Sequence, residues 1–518
     1  MEINSTLILL PTEIRQEIFK NLDNAALFKC LLVDRQCCRE IVPILWEAPL
    51  SKILNKSRID REERQKRLVK VVNVYLGSFT KETWEFLRAN GISRPRNIRT
   101  PAFNYAAFLR HYEITAVSYA TVEWLQQKSV IPTVKQMRKR EALRKSLCAL
   151  FVEQAQTIRS FHNDLSLESE LWVIDTPKEH IERIGLDLRE LRVSGITLNT
   201  DLLSLFENLA EFCRSIRGIT LANLRSFSEN IVNEATKKTA IGLKSVIEAQ
   251  SELQWLQLFQ LTAANTKVII NSLHASSKTL RAIKFFRIDF NLLKKNVVIE
   301  GLRSCANLLC LDFTKCKAIE QQSWIETAQS FKKLEFLTIT ISLVAEFPVE
   351  FIKKVIETSS LNLKYFQLRQ ETFTQFSGFG EKIVKEILPF ILLYSRNLRV
   401  FGVQDLNMDS IVSLLNSCRK LEHLEVYSKN LDDTLDILAT KLPPSIYSLR
   451  IHKPLNHSNI SRKPLIEFLK TTRNHLRLLS IHINDFNGII EKTAKDYGVK
   501  FITSPIEDGV YPDYFPKF

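Results

Sequence analysis

The chain has 518 residues, 45% apolar and 25% charged, with only 13 Gly and 16 Pro, so it holds ample material for a core and little for long flexible linkers. Its net charge of +15 raises nucleic acid as a partner, but the charge gathers at 52–70 (eight basic, three acidic) and 135–145 (six basic, one acidic), without the interleaved aromatics a stacking platform needs; solvated helix faces explain it better. Nine scattered Cys without one C-x-x-C pair exclude zinc fingers, RING domains and thioredoxin-like redox sites, and suit reduced structural thiols.

At the start, Ser5 to Leu10 is a short apolar run without the basic leader and cleavage site of a signal peptide. The longest later apolar run, Ile387 to Tyr394, contains Pro389 and falls far short of the roughly 20 residues a membrane helix requires. The expectation is a soluble, cytoplasmic protein with no membrane partner; Arg138-Lys139-Arg140 offers a weak nuclear-import signal.

Residues 10–50 break into three short helical patterns. The first opens at Pro11-Thr12, with Glu13 in its first turn and Ile14, Ile18 and Leu22 along one stripe. The second runs from about 24 to 33 with Leu27, Cys30 and Leu31 on a face, and the third from 36 to 45 with Ile41 and Ile44 or Leu45 inward. Helices this short bury too little surface to be stable alone, so the module is expected to borrow a partner or a neighbouring domain.

From 51 to 157 helical patterns dominate. Leu68, Val71, Val72 and Leu76 share a face of one over 66–79, Gly91 caps a second over 80–90, and a third over 138–159 aligns Leu143, Leu147, Leu150 and Phe151. No chemistry is legible there.

From 188 onward one phrase recurs: apolar, two residues, apolar, one residue, apolar. It occurs at Leu188/Leu191/Val193, Ile216/Ile219/Leu221, Leu253/Leu256/Leu258, Leu280/Ile283/Phe285, Leu308/Leu311/Phe313, Leu334/Leu337/Ile339, Leu363/Phe366/Leu368, Leu398/Phe401/Val403, Leu421/Leu424/Val426, Ile446/Leu449/Ile451 and Leu476/Leu479/Ile481. Amphipathic stretches such as 347–357, 409–418 and 463–472 lie between. A strand followed by a helix, repeated, predicts an α/β leucine-rich-repeat solenoid with a parallel sheet on one side and helices on the other. The competing expectation is an ordinary α/β domain whose strands take an arbitrary order. Cys213, Cys305 and Cys418 stand three residues before the first apolar position, as in the cysteine-containing repeats of F-box proteins; Cys316 and Asn484 follow the third, where such repeats place a turn-bonding Asn or Cys. Most other repeats lack that residue, so the solenoid is expected to be irregular. The division reads 1–50 helical head, 51–157 connector, 158–499 solenoid, 500–518 tail.

The residues of the head carry a resemblance. Leu10-Pro11, Glu13, Ile14, Ile18, Leu22, Leu27, Cys30, Val33 and Arg35 resemble, in order, the F-box pattern. Pro43-Ile44-Leu45-Trp46-x-x-Pro49 and Phe103 to Phe108 are similar to stretches of an expanded group of fungal F-box proteins. Cys37 departs from the pattern, since many F-boxes carry Trp there. The resemblance implies helix-in-groove docking on the Skp-type adaptor, and through it on a cullin-RING core. Leu10, Pro11, Ile14, Leu27, Leu31 and Val33 are the expected contacts, with Ile18 and Leu22 holding the helices together.

Alternation along the strands assigns Trp255, Gln257 and Phe259, then Tyr365, Gln367 and Arg369, then His423, Glu425 and Tyr427, then Ser448, Arg450 and His452, and finally His482 to the open face of the sheet. Trp255, Phe259, Tyr365, Arg369, His423, Tyr427, Arg450 and His452 are the expected target-binding residues, with a positive field at the C-terminal end suited to an acidic or phosphorylated segment. Alternatively, the tail folds Phe515 and Phe518 back over this face.

Gly378-x-Gly380 is a lone pair, and no phosphate loop, nucleophile elbow, zinc-protease signature or His pair at ligand spacing occurs. The expectation is therefore a non-catalytic, cofactor-free substrate-recognition subunit of an SCF-type ubiquitin ligase. A leucine-rich-repeat scaffold with an N-terminal helical cap is the alternative.

Overall fold

A computed structural model describes residues 10–55, 59–126, 133–164, 178–195, 202–223, 234–292, 300–317, 319, 322–341, 348–370, 385–403, 406–427, 431–452, 462–481 and 489–502. The chain divides into two compact units. One comprises Met1–Ser228 with Asn233–Ser251, the other Glu229–Val232 with Glu252–Phe518. Both are α/β, and within each unit every described strand pairing is parallel.

The first unit opens with α1 (Thr12–Lys20), α2 (Asn24–Cys30) and α3 (Arg35–Leu45). The side chains of Asp23 and Asp34 accept from backbone amides of the turns that follow, which sets where α2 and α3 begin. Next come α4 (Pro49–Leu54), α5 (Arg61–Leu76), α6 (Lys81–Ala89), α7 (Ile114–Trp124) and α8 (Val134–Gln154), the last entered through a capping box of Thr133 and Gln136. An aromatic chain ties them to the head: Trp46 packs 4.1 Å from Tyr105 and 5.4 Å from Tyr75, and Tyr75 packs 4.7 Å from Phe151. The two stretches flanking Trp46 and Tyr105 are thus in contact.

Strands β1 (His111–Glu113), β2 (Ser160–Asp164), β3 (Glu190–Ser194) and β4 (Gly218–Ala222) follow one another in order. The first two escape the recurring phrase for different reasons. In β2 the third apolar position is Asn163, whereas β1 fits at Leu109/Tyr112/Ile114 but lies 49 residues from its neighbour, His111 to Ser160, inside helical sequence.

The second unit holds β5 (Trp255–Phe259), β6 (Ala282–Phe286), β7 (Cys310–Thr314), β8 (Phe336–Ile341), β9 (Tyr365–Gln370), β10 (Val400–Val403), β11 (His423–Tyr427), β12 (Ser448–His452), β13 (Leu478–Ile481) and β14 (Lys500–Ile502), paired in that order. All eleven phrases fall on strands, and the strict sequential order excludes the arbitrary-order α/β domain. β14 extends the pairing into the segment assigned to the tail. The apolar positions of each phrase are buried: Leu256 and Leu258, Ile283 and Phe285, Leu311 and Phe313 are all inaccessible. Trp324 sits 4.9 Å from both Phe290 and Phe313 at the centre of this layer.

Two side-chain ladders link successive strand entries in the second unit. Nδ2 of Asn307, Asn362 and Asn397 donates to the carbonyls of Lys278, Lys332 and Leu361, at 3.1, 2.9 and 2.9 Å. Lys333 and Lys420 then donate to Oδ1 of Asn307 and Asn397 at 2.7 Å. These bonds satisfy loop carbonyls that would otherwise lack partners, the task expected of the Asn or Cys after the third apolar position. At that position Cys316 contributes a weak bond to the Thr314 carbonyl, and Asn484 lies outside the described residues.

Candidate functional site

In the head, α1 turns Arg15 and Phe19 inward, one residue away from Ile14 and Ile18 of the stripe that periodicity suggested. The cause is an ion pair. Buried Arg15 donates to Glu40 of α3 through Nε at 3.0 Å and through Nη2, and its Nη1 bonds the Leu10 carbonyl at 2.7 Å. The Arg15 guanidinium holds the Glu40 carboxyl below its ordinary range. Beneath lie Phe19, Leu27, Cys37 and Ile41, with Leu22, Cys30, Leu31, Ile44 and Leu45 packed against them.

With Arg15 and Phe19 inside, Ile14 and Ile18 are left outside, Ile14 at 51% exposure. Phe28 is 60% and Leu32 88% exposed, and Val33 and Pro11 are exposed as well. Of the expected contacts, Pro11, Ile14 and Val33 therefore stand free, while Leu10 and Leu31 are half-buried. Leu27 is 2% exposed and belongs to the head's own core, so it is not presented to a partner. Ile18, expected to join the helices, is on the surface instead. Phe28 and Leu32 were legible in principle: Leu27/Leu31 and Phe28/Leu32 are two i,i+4 pairs on adjacent stripes of α2 and the turn that follows it, and both cannot face inward.

In the second unit the open sheet face is more buried than alternation predicts. Glu425 on β11 is 2% exposed, and its carboxylate accepts from Arg369 Nη2 at 2.9 Å to both oxygens and from Gln367 Nε2 at 3.0 Å, while His452 Nε2 lies 2.9 Å from Glu425 Oε1. Tyr365 is buried and donates to Gln367 Oε1 at 2.7 Å. Burial alone would raise the Glu425 carboxyl; Arg369, His452 and Arg450 outweigh it and hold the group well below the carboxylate range. Burial lowers His452, against the pull of Glu425, and pushes His423 down to about 4.

These bonds correct the expected recognition surface. Tyr365, Arg369 and His452 serve an internal network around Glu425, and the carboxylate offsets the positive field expected at this end. His423 Nδ1 lies 2.7 Å from Ser448 Oγ, and His111 and Ser160 form the same cross-strand pair at 2.8 Å in the same register on β1 and β2. Arg450, Trp255 and Phe259 are partly exposed. The side chain of Tyr427, His482 and the tail residues Phe515 and Phe518 lie outside the described residues.

The basic stretches are helix surface. Lys66 and Arg67 pair with Glu62 and Glu63 one turn earlier on α5, and Lys145 with Glu141 on α8. Burial pushes the thiols of Cys37, Cys305 and Cys418 up to about 11 and those of Cys148 and Cys213 to about 12. Thiols held protonated in this way are poor nucleophiles. Among the described residues no group of three His, Cys, Asp or Glu is placed to hold a metal ion, and no helix is long and apolar enough to cross a membrane. No family model and no curated protein matches the chain.

Proposed function

We propose that the chain is the substrate-recruiting subunit of an SCF-type ubiquitin ligase: its head is an F-box that docks on the Skp-type adaptor, and its strands form an irregular leucine-rich-repeat sheet that holds a target protein. One observation carries the reading. A three-helix head with a complete core of its own leaves Ile14, Ile18, Phe28, Leu32 and Val33 in solvent, and isolated folds rarely expose large side chains so densely. A helical cap would turn those residues toward the body it covers, whereas here Trp46 and its aromatic neighbours make the junction and the Ile14/Leu32 side is free.

In this reading the chain performs no chemistry. It raises the effective concentration of a target lysine near the charged ubiquitin carrier, which requires two binding surfaces and no catalytic residue. Co-purification with the Skp-type adaptor tests it. The wild-type chain is expected to retain the adaptor and Ile14→Asp/Leu32→Asp to lose it; retention by that variant at the wild-type level would refute the docking assignment.

A further inference from the structure

Between Glu85 and Glu113 the sequence carries no acidic residue, yet it holds five arginines: Arg88, Arg94, Arg96, Arg99 and Arg110. Arg110 is engaged by the fold, its Nη1 donating to the carbonyls of Ala107, Leu109 and Thr157 at 3.1, 3.2 and 3.2 Å. Arg94, Arg96 and Arg99 are exposed on the loop that leads out of α6, and no described carboxylate pairs with any of the three.

The loop is held in place. Ile92 and Ile98 are buried and pin it at two points, and the Ile98 amide closes a turn on the Pro95 carbonyl at 3.3 Å. The Arg99 carbonyl lies where a side chain on Gly77 would stand, so the residue after α5 must be glycine for the loop to come this close. Arg94 Cζ lies 5.7 Å from the centroid of Trp84, which is buried on α6. A guanidinium resting on a ring keeps its N–H edge for hydrogen bonding, and a pinned backbone loses little freedom when a ligand arrives. A loop needed only for solubility would have no use for three like charges within six residues, since they repel one another.

We infer that the Arg94–Arg99 loop binds an acidic segment of a partner protein, its carboxylates taken by Arg94, Arg96 and Arg99. All three cations are Arg, whose planar fork matches a carboxylate with two parallel bonds where Lys offers a point charge. A nucleic acid fits less well. Trp84, the ring beside the loop, is buried beneath Arg94 and offers no face to a base, and a duplex laid across the loop would carry phosphates toward Glu85, exposed next to Trp84 on α6. The inference does not rest on the ligase reading, because the loop belongs neither to the head nor to the strands.

The test is fluorescence anisotropy of the whole chain with a fluorescein-labelled decapeptide of alternating Glu and Ser, beside the same peptide with Gln for Glu. Wild type is expected to bind the Glu peptide saturably and the Gln peptide not at all. Arg94→Gln/Arg96→Gln/Arg99→Gln should weaken binding roughly tenfold or more. Lys70→Gln/Lys441→Gln/Lys492→Gln, which removes as many charges from exposed helix positions, should bind as wild type. Arg96→Gln/Arg99→Gln leaves Trp84 covered and should keep the wild-type urea midpoint while still weakening binding, so that unfolding cannot account for the loss. Four results would overturn the inference: no saturable binding by wild type, equal binding of the Gln peptide, loss by the lysine variant equal to that by the arginine variants, or a short DNA duplex binding more tightly than the Glu peptide with the same dependence on the three arginines. Adaptor capture by the arginine variants is expected to be unchanged, which separates failure here from failure of the ligase reading.

Discussion

Arg369 on β9 and Glu425 on β11 are joined by two 2.9 Å contacts although a whole strand lies between them. Beside it on β10, Gly402 is in register with Gln367 and Glu425, and an added Cβ there would stand 3.3 Å from both Gln367 Nε2 and Glu425 Cβ, so the glycine keeps clear the space that the Gln367–Glu425 bond crosses. Its φ is ordinary, so the glycine serves space and not backbone conformation. Gly402→Ala should cost about 1 kcal/mol, the neighbours giving way slightly, and Gly402→Val about 3 kcal/mol by prising the network apart. Urea unfolding of the two variants checks the order.

Removing the carboxylate tests the network from the other side. Glu425→Ala leaves Arg369 without its counter-charge in a buried site and should destabilise by about 3 to 5 kcal/mol. Arg369→Met/Glu425→Met, which removes both charges, should recover more than half of that loss in the same measurement.

The network also predicts a pH dependence. His423 is held at about 4, below its ordinary 6.5, and His452 is lowered as well, first by burial. Between those values the unfolded chain takes up protons that the folded one refuses, so stability is full above about pH 6.5 and declines as pH falls toward 4. Glu425, also lowered, adds to the decline below its ordinary 4.5. His423→Gln should flatten the profile between pH 6.5 and 4 by about 1 to 3 kcal/mol. An unchanged profile would mean that His423 titrates normally.

The head depends on Arg15 in a similar way. Arg15→Ala strands the buried Glu40 carboxylate and frees the Leu10 carbonyl, so its melting temperature should fall by several degrees. Arg15→Met/Glu40→Met should restore most of the loss, since the pair is replaced by packing. Backbone amides of the head should also exchange much faster in the isolated chain than in the adaptor complex, because its core is small. Equal protection in both states would favour a cap.

Much of the architecture was legible because period-two apolar phrases survive burial on one side of a strand, and all eleven lie on strands. The site was less legible. Alternation correctly put Gln367, Arg369, Glu425 and His452 on one face, but the distance at which opposite charges find each other across an intervening strand is not a property of any single strand. In the head, an inward arginine rotated α1 by one residue and exchanged Ile18 for Phe19, since polar residues at inward positions are invisible to an apolar count until their partner is known. The Asn ladder had a usable signal: Asn307, Asn362 and Asn397 each precede the first leucine of a phrase.

The exposed face of the head carries the ligase reading, and the most direct test is a binding constant for the purified 518-residue chain and purified Skp-type adaptor. Wild type is expected to bind with a Kd of about 1 μM or tighter, and Leu32→Asp, at the most exposed apolar position and outside the core, to bind about a hundredfold more weakly with an unchanged melting temperature. No binding by wild type, or equal binding by Leu32→Asp, would contradict the account.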